Sequence, residues 1–313
     1  KNVLPLIYGD GKISGMYVLS DLKRILSEKT NHNVDSEGRL RVAAAVGVGD
    51  DALDRAVLLS EEGVDVFHID TAHGYSASVG ETIKKLKVRY PDIDIIAGNV
   101  SVGAGARYLA DAGADGILVG QGGGSICTTR VVAGIGKPQV SAVYECAKAI
   151  IGRDIPICSD GGIRYSGDIG IALAVGASTV MLGNVLAGTD EAPGEIISQK
   201  GIQVKLYRGM GSLGAMRDSK SARQRYLQTF GNLVPEGIEG IVPYKGPMAV
   251  LVAQLVGGIR KTFGYIGAEN LEELWEKAEL FQCTQSGTVE GHPHNLIDFK
   301  DAPNYARPQK DAV

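Results

Sequence analysis

Residues 64–99 read VDVFHIDTAHGYSASVGETIKKLKVRYPDIDIIAGN and contain the clearest structural pattern of the chain. This stretch begins and ends with short apolar runs, residues 64–70 and 93–99, which are rich in β-branched side chains and have the length of buried strands. Residues 78–89 between them have the apolar periodicity of an amphipathic helix. Two strands joined by a helix of this length predict a βαβ unit with parallel strands, and therefore an α/β fold.

The same alternation continues along the chain on both sides of this unit. Further strands are predicted at residues 41–46, 116–120, 155–160 and 179–183, and further helices at residues 52–62, 103–112, 141–151 and 168–175. Small or polar residues end the strands, namely Asp70, Asn99, Gly120, Asp160 and Gly183. This pattern fits a (β/α)8 barrel, whose catalytic groups lie at the carboxyl ends of its strands. A doubly wound open sheet has the same alternation, so periodicity alone leaves both architectures open.

The number of predicted strands is six, whereas a (β/α)8 barrel needs eight. The first forty residues do not supply the other two, because residues 4–8, the Asp10-Gly11 turn and residues 15–19 predict a hairpin, followed by a short helix at 21–27. Either the sheet is open, or the chain lacks the first two strands of a barrel. A chain that truly began at Lys1 would be expected to form an incomplete, inactive barrel.

The composition argues against several classes of protein, namely nucleic-acid-binding, disulfide-rich, zinc-binding and membrane-spanning proteins. A net charge of −4 argues against nucleic acid as the main partner, although a local pocket can still attract an anionic metabolite. The four cysteines form no CxxC pair and no secretory signal is present, so we expect a cytoplasmic protein without a disulfide framework. His292 and His294 lack partners at zinc-like spacing. No apolar run reaches the length of about 18 residues needed for a membrane span.

The segment GQGGGSICTTR at 120–130 carries the strongest chemical signal. Cys127 follows a glycine-rich loop at a strand end and is flanked by hydroxyl residues, so it is a candidate nucleophile, while an inert buried cysteine fits the same pattern. The segment is not a P-loop, because Gly136-Lys137 is followed by Pro138 rather than a hydroxyl residue. It is not a dinucleotide fingerprint either, because Ser125 stands at the third glycine position.

Three other segments and Asp70 are candidates for nucleotide binding. The loops DGGIR at 160–164 and Gly183-Asn184 follow the last two predicted strands, where barrels commonly bind phosphate, although two ordinary turns are the alternative. The basic segment at 219–230 is either a mobile lid or a solvated loop. Asp70 either binds a ribose hydroxyl or caps the next helix.

These segments together resemble the inosine monophosphate dehydrogenase family, which also includes GMP reductase. The matching motifs are GGGSICTTR at 122–130, SDGGIRYSGDI at 159–169, AGTDEAPGE at 187–195, YRGMGSLGAM at 207–216 and VPEGIEGIVPYKG at 234–246. The resemblance runs from about residue 38 to the end of the chain and implies a (β/α)8 TIM barrel. It implies that residues 1–27 are the tail of the family's inserted CBS domain pair. Residues 28–313 would then hold barrel strands three to eight, with a flap at about 212–240.

The resemblance also implies a reaction, the NAD-dependent oxidation of IMP to XMP. Cys127 would attack C2 of the purine, and the resulting thioimidate would be hydrolysed by water beside Thr129, activated by the flap pair Arg225 and Tyr226. An arginine base needs a site that disfavours its cation, or has to act in concert with the departing product, since its pKa is normally very high.

The resemblance further assigns the residues that bind ligands. The substrate residues would be Ser125, Asp160, Gly162, Gly183, Asn184, Tyr207, Gly209, Met210, Gly211 and Glu236. The NAD residues would be Asp70, Asn99, Gly120 and Gly122. A potassium ion would be bound by Gly122, Gly124 and Cys127 together with Glu290, Gly291 and His292 of a neighbouring subunit, which implies a homotetramer. Asn184 and the triplet Gln121-Gly122-Gly123, which stands where Ile-Gly-Pro is common, depart from the family's pattern.

Three functions other than IMP oxidation are also compatible with the sequence motifs. GMP reductase, which deaminates GMP with NADPH, has the same barrel and cysteine, but typical reductases lack a long flap with an Arg-Tyr pair. A nucleotide-binding regulatory barrel without catalysis would need a broken site, whereas Cys127, Thr129 and Arg225 are all present. An unrelated phosphate-binding isomerase or lyase would need a catalytic Lys or Glu at a strand end, and no convincing one is found.

Overall fold

The computed structural model describes residues 3–19, 33–226, 228, 232–298, 300 and 302–305. Its centre is a six-stranded parallel sheet. The strands are β3 (Ala43–Val46), β4 (Val66–Asp70), β5 (Asp94–Val100), β6 (Gly116–Val119), β7 (Ile157–Asp160) and β8 (Thr179–Met181). They are hydrogen-bonded in chain order, without the reversal that defines a doubly wound sheet. The open doubly wound alternative is therefore wrong, and the sheet is part of a (β/α)8 barrel.

At least one helix follows each of the six parallel strands. These helices are α1 (Asp50–Glu61), α2 (Ala77–Arg89), α3 (Gly103–Ala112), the short α4 (Thr129–Val132), α5 (Gln139–Ala149), α6 (Ser166–Ala174) and the short α7 (Asn184–Ala187). The six predicted strands and five predicted helices are confirmed, with each end within two residues of the prediction.

The main core lies between the sheet and these helices. On β4, Phe67 and Ile69 are fully buried against the helical layer, where Ile83 and Leu86 of α2 join the same cluster. The alternate residues of β4 point to the opposite face of the sheet, because successive side chains of a strand alternate. Asp70 therefore ends β4 on the inner face, at the carboxyl edge of the sheet.

A second sheet follows the last parallel strand. It is antiparallel, with β9 (Ile196–Gln199), β10 (Ile202–Arg208) and β11 (Glu239–Pro243) in the order β11-β10-β9. The chain between β10 and β11 contains α8 (Leu213–Asp218) and α9 (Lys220–Arg225). This is most of the predicted flap. Residues 227 and 229–231 of that flap lie outside the described residues.

The two ends of the chain add smaller elements. The predicted hairpin is confirmed as β1 (Val3–Ile7) and β2 (Ile13–Val18), whereas the helix predicted at 21–27 lies outside the described residues. After β11, α10 (Met248–Ile266) packs against α6, followed by α11 (Leu271–Lys277) and α12 (Gln285–Glu290). Within the described part of the chain, no helix is both long and apolar enough to cross a membrane.

Candidate active site at the carboxyl ends of the strands

Three neighbouring strand ends meet around the side chain of Asn99. Its amide nitrogen donates to the Gly120 carbonyl at 2.9 Å and to the Asp160 carboxylate at 2.7 Å. Burial raises the pKa of Asp160, with Asn99 opposing that shift and the charge of Asp70 adding to it. The Oδ1 atom of Asn99 is buried without a hydrogen-bond partner among the described residues, so it can still accept a bond from a ligand.

Gly120 permits this close approach of strand ends. Its φ of 151° lies where L side chains rarely fit, and a Cβ atom built on it would lie 1.9 Å from the Asp160 carbonyl oxygen. The glycine at the end of β6 is therefore required by space as well as by conformation.

Cys127 lies in the loop that follows Gly120 and is half-buried. Its thiol donates to the Thr129 hydroxyl at 3.2 Å, which places the predicted nucleophile beside the predicted water-binding residue. The backbone of this loop pairs with the chain that precedes β11, since Cys127 forms a β-bridge with Gly237 and the Thr128 amide donates to the Glu236 carbonyl at 2.9 Å. Main-chain pairing thus brings the cysteine loop and the end of the flap together.

The residues predicted to bind the purine ring pack against the segment 236–238, which pairs with the cysteine loop. The Glu236 amide donates to the Gly211 carbonyl at 2.9 Å, and the Gly209 amide donates to Ile238 at 3.0 Å. The Tyr226 ring covers Gly211, where a Cβ atom would lie 2.7 Å from the ring. Met210 is half-exposed between the two glycines, so the segment 209–211 has both backbone groups and one apolar side chain to offer a ligand.

Arg225 and Tyr226 lie next to Asp70. The Arg225 guanidinium forms an ion pair with the Asp70 carboxylate and a hydrogen bond with the Tyr226 side chain. Burial disfavours the Arg225 cation, but Asp70 and Tyr226 outweigh it, so the pKa of Arg225 is raised above its ordinary value. Burial also raises the pKa of Tyr226. The charge of Arg225 opposes this shift, and that of Cys127 adds to it. In this arrangement the predicted base is therefore held as a cation.

The predicted phosphate residues form a separate group beyond the cysteine loop. The Tyr207 side chain is hydrogen-bonded to Ser125, and its hydroxyl lies 3.2 Å from a Cβ position built on Gly183. The Gly161-Gly162 turn packs against the glycines of the cysteine loop, and Asn184 begins α7 directly after Gly183. Ser125, Gly183 and Tyr207 are thus brought together as the sequence motifs predict.

The predicted potassium ligands form two separate groups within one chain. Gly122, Gly124 and Cys127 share one loop, and the Gly124 carbonyl accepts from the Cys127 amide at 3.1 Å, which leaves it a second lone pair. Glu290, Gly291 and His292 lie elsewhere, at the end of α12, where His292 contacts the Tyr165 ring. Among the described residues, no group of three His, Cys, Asp or Glu side chains could hold a metal ion.

Several residues that support the site were not predicted from the sequence. The Gln139 side chain donates to Val119 and Ser159, and Gln121 bonds to the loops after β4 and β5. The fully buried Lys205 donates its ammonium protons to the carbonyls of Thr189 and Ala192. Of Gln139, Gln121 and Lys205, only Gln121 could have been singled out in the sequence, because it departs from the family's motif.

The fold and the site together define a (β/α)-barrel protein with a cysteine in a glycine-rich strand-end loop, beside groups suited to a nucleotide. The family described as IMP dehydrogenase / GMP reductase domain matches residues 16–294. The chain belongs to this family.

Individual relatives agree with that assignment. Inosine-5′-monophosphate dehydrogenase of Aquifex aeolicus is 53% identical over 302 residues, which are 96% of this chain and 61% of the relative. The Helicobacter pylori protein of the same name is 48% identical over 305 residues, 96% of this chain and 62% of the relative. A crystal structure of a GMP reductase variant from Trypanosoma brucei with guanosine 5′-monophosphate is 43% identical with a TM-score of 0.81, covering 95% of this chain and 61% of that chain. The chain spans about three fifths of the length of these relatives.

Proposed function

We propose that this chain provides the catalytic residues of an NAD-dependent inosine-5′-monophosphate dehydrogenase, which oxidises IMP to XMP in guanine nucleotide biosynthesis. The observation that carries the proposal is the position of Cys127, which donates to Thr129 and lies next to the flap segment that bears Arg225 and Tyr226. A cysteine nucleophile and a water-activating pair are the two parts that this oxidation and hydrolysis need.

The nucleotide would bind across the cysteine loop. Ser125, Gly162, Gly183, Asn184 and Tyr207 would hold the phosphate, because they offer hydroxyl, amide and backbone donors at one end of the loop. Asp160 would accept hydrogen bonds from the ribose hydroxyls, held in place by Asn99. The backbone of Gly209, Met210 and Gly211 and the side chain of Glu236 would meet the purine.

The first chemical step would take place at Cys127. Its thiolate sulfur would form a bond to C2 of the hypoxanthine, and the hydrogen on C2 would leave as hydride, so that the base is oxidised by two electrons. Bound NAD⁺ supplies the acceptor for that hydride. The residues fit such a ligand, because the buried Oδ1 of Asp70 has no partner among the described residues and is suited to accept from a ribose hydroxyl. Asn99, Gly120 and Gly122 would line the same side of the site.

The second step would be hydrolysis of the thioimidate. Water beside Thr129 would attack C2, the carbon–sulfur bond would break with its electron pair going to sulfur, and XMP would leave with the Cys127 thiolate restored. The Arg225–Tyr226 pair would orient this water and take its proton. Pairing with Asp70 stabilises the Arg225 cation, so proton transfer to Arg225 requires that this ion pair loosen in the reacting complex.

A potassium ion would organise the cysteine loop. The carbonyls of Gly122, Gly124 and Cys127 suit a hard cation that prefers oxygen ligands. Glu290, Gly291 and His292 would complete the site from a neighbouring subunit, which makes a cytoplasmic homotetramer part of the proposal.

We also propose that residues 1–27 end a CBS domain pair and that residues 28–313 form the catalytic barrel with its flap at about 212–240. The supports for these assignments are the family's motifs and the hairpin of β1 and β2.

GMP reductase is the second candidate, favoured by the similarity to the Trypanosoma brucei structure. That reaction would use the same cysteine, but NADPH would reduce GMP with loss of ammonia and without hydrolysis by a flap. The placement of Arg225 and Tyr226 at the site therefore favours the dehydrogenase.

Absorbance at 340 nm distinguishes the two activities. We expect the full-length protein to form NADH with IMP, NAD⁺ and K⁺, and its Cys127→Ala variant to form none. Consumption of NADPH with GMP, without NADH formation from IMP, would establish the reductase instead. No reaction in either assay, from folded protein that binds IMP, would support a barrel without catalysis.

A further inference from the structure

Gln121 lies directly after the Gly120 turn, and its side chain is buried with 8% of its surface exposed. The side-chain nitrogen donates to the Ala72 carbonyl at 2.9 Å and lies 3.2 Å from Nδ1 of His73. The side-chain oxygen accepts from the Ser101 hydroxyl at 2.6 Å. One side chain from the cysteine loop therefore bonds to the loops that follow both β4 and β5.

The orientation of this amide is fixed by its partners. A backbone carbonyl can only accept, so the nitrogen of Gln121 must face Ala72, and Nδ1 of His73 must then act as an acceptor. Both amide protons and the amide oxygen are used. An isoleucine at this position could form none of these bonds, because its side chain has neither a donor nor an acceptor.

The contacts continue on both sides of Gln121. The Ala72 amide donates to the Arg225 carbonyl at 3.0 Å, so the backbone of Ala72 links Gln121 to the flap. On the other side, the Gln121 carbonyl accepts from Nε and a terminal nitrogen of Arg130 at 3.2 and 3.1 Å. Arg130 belongs to the segment that bears Cys127, so a continuous set of hydrogen bonds joins the nucleophile's loop to the backbone of Arg225.

We propose that Gln121 is a positioning residue that couples the cysteine loop to the flap residue Arg225 through Ala72. Its side chain bonds to Ala72, His73 and Ser101, and it acts by holding the flap in register with the sulfur during hydrolysis. The kinetic part rests on the proposed function, whereas the structural coupling does not.

Kinetics of Gln121→Leu and Gln121→Glu test the catalytic consequence. Leucine keeps the volume and loses every bond, and glutamate keeps the acceptor for Ser101 but presents a carboxylate to the Ala72 carbonyl. We expect both variants to retain the first-turnover burst of NADH within about twofold while steady-state kcat falls roughly tenfold, because hydrolysis alone needs the flap. Gln199→Leu, at an exposed position of β9, is the matched control and should leave both quantities unchanged. Equal losses of burst rate and kcat would overturn the proposal.

Hydrogen–deuterium exchange tests the coupling without activity. In Gln121→Leu we expect faster exchange in segments 70–76 and 213–226, with segment 157–160 unchanged as an internal reference. Faster exchange confined to 121–130, or none, would overturn the coupling. If the unmodified protein forms no NADH from IMP and NAD⁺, the proposed function fails, while the exchange result still decides whether Gln121 couples the two loops.

Discussion

The guanidinium of Arg225, at the end of α9, forms an ion pair with the carboxylate of Asp70, at the end of β4. These residues have separate proposed tasks, since Arg225 serves hydrolysis and Asp70 binds the NAD ribose. One carboxylate oxygen is taken by Arg225 and the other is buried without a partner in the described chain. A dinucleotide bound through the free oxygen alone would leave this pair intact, whereas one bound through both oxygens would displace Arg225.

Replacement of Asp70 tests the cofactor role. We expect Asp70→Asn to raise KM for NAD⁺ about tenfold, because a hydrogen bond to a charged group contributes roughly 1.5 kcal/mol or more. Initial rates at varied NAD⁺ measure the change, and Asp92→Asn, at an exposed loop position, is the matched control. An unchanged KM for NAD⁺ would remove Asp70 from the cofactor site.

Alkylation tests the nucleophile, because burial suppresses the ionisation of Cys146 and Cys158. Burial raises the pKa of Cys146 to about 12 and that of Cys158 to about 11, so at pH 8 at most about one Cys158 thiol in a thousand is a thiolate. We expect iodoacetamide to modify Cys127 and the exposed Cys283 but neither the buried Cys146 nor the half-buried Cys158. Peptide mass spectrometry identifies the sites, and activity should be lost in step with Cys127 alone.

The matched control for that experiment is Cys283→Ser. Inactivation should keep its rate in this variant, and IMP should slow it by covering Cys127. If inactivation instead followed modification of Cys283, or if Cys158 reacted as fast as Cys127, the assignment of the nucleophile would be wrong.

Asp160 predicts a pH dependence of IMP binding. Its carboxylate must be ionised to accept from two ribose hydroxyls, and burial raises the pKa of Asp160 above the ordinary 3.8. KM for IMP should therefore be constant well above that pKa and rise as the pH falls through it. Because asparagine does not titrate, Asp160→Asn should raise KM at every pH and remove this acidic rise. An acidic rise that persists in the variant would assign the titration to another group.

The parallel sheet and the strand-end residues could be predicted from the sequence, and the reason is geometric. Asp70, Asn99, Gly120 and Asp160 each end a strand, and parallel strands in chain order bring their carboxyl ends to one edge. Their proximity therefore follows from the strand boundaries once the strands are known to pair in chain order, which periodicity alone leaves open.

The remaining contacts depend on side chains whose partners are distant in sequence. Arg225 is 155 positions from Asp70, and nothing in either local segment specifies the pair. Lys205 has the sequence context of a solvated charge on a short strand, yet it is only 2% exposed because two carbonyls bind its ammonium group. Such pairings are decided by the three-dimensional path of the loops, which local patterns do not describe.

Comparison of Gly120 with Gly134 separates two reasons for a glycine, the lack of space for a Cβ atom and the backbone conformation. Gly134 also has a positive φ, 68°, but no atom lies within 4 Å of its Cβ position, whereas the Cβ position at Gly120 lies 1.9 Å from the Asp160 carbonyl oxygen. We expect Gly134→Ala to lower the free energy of unfolding by about 1 kcal/mol, the usual cost of left-handed strain. Gly120→Ala should cost about 3 kcal/mol or more, because β6 and β7 must also move apart.

Urea unfolding of the two variants measures this difference. Gly120→Ala should also weaken IMP binding, because any shift of the Asp160 backbone moves the carboxylate that Asn99 holds at 2.7 Å. Gly134→Ala should bind IMP normally, since its Cβ contacts nothing within 4 Å. Equal losses of stability in the two variants would mean that backbone conformation alone requires the glycine at the end of β6, and that the sheet can widen there without cost.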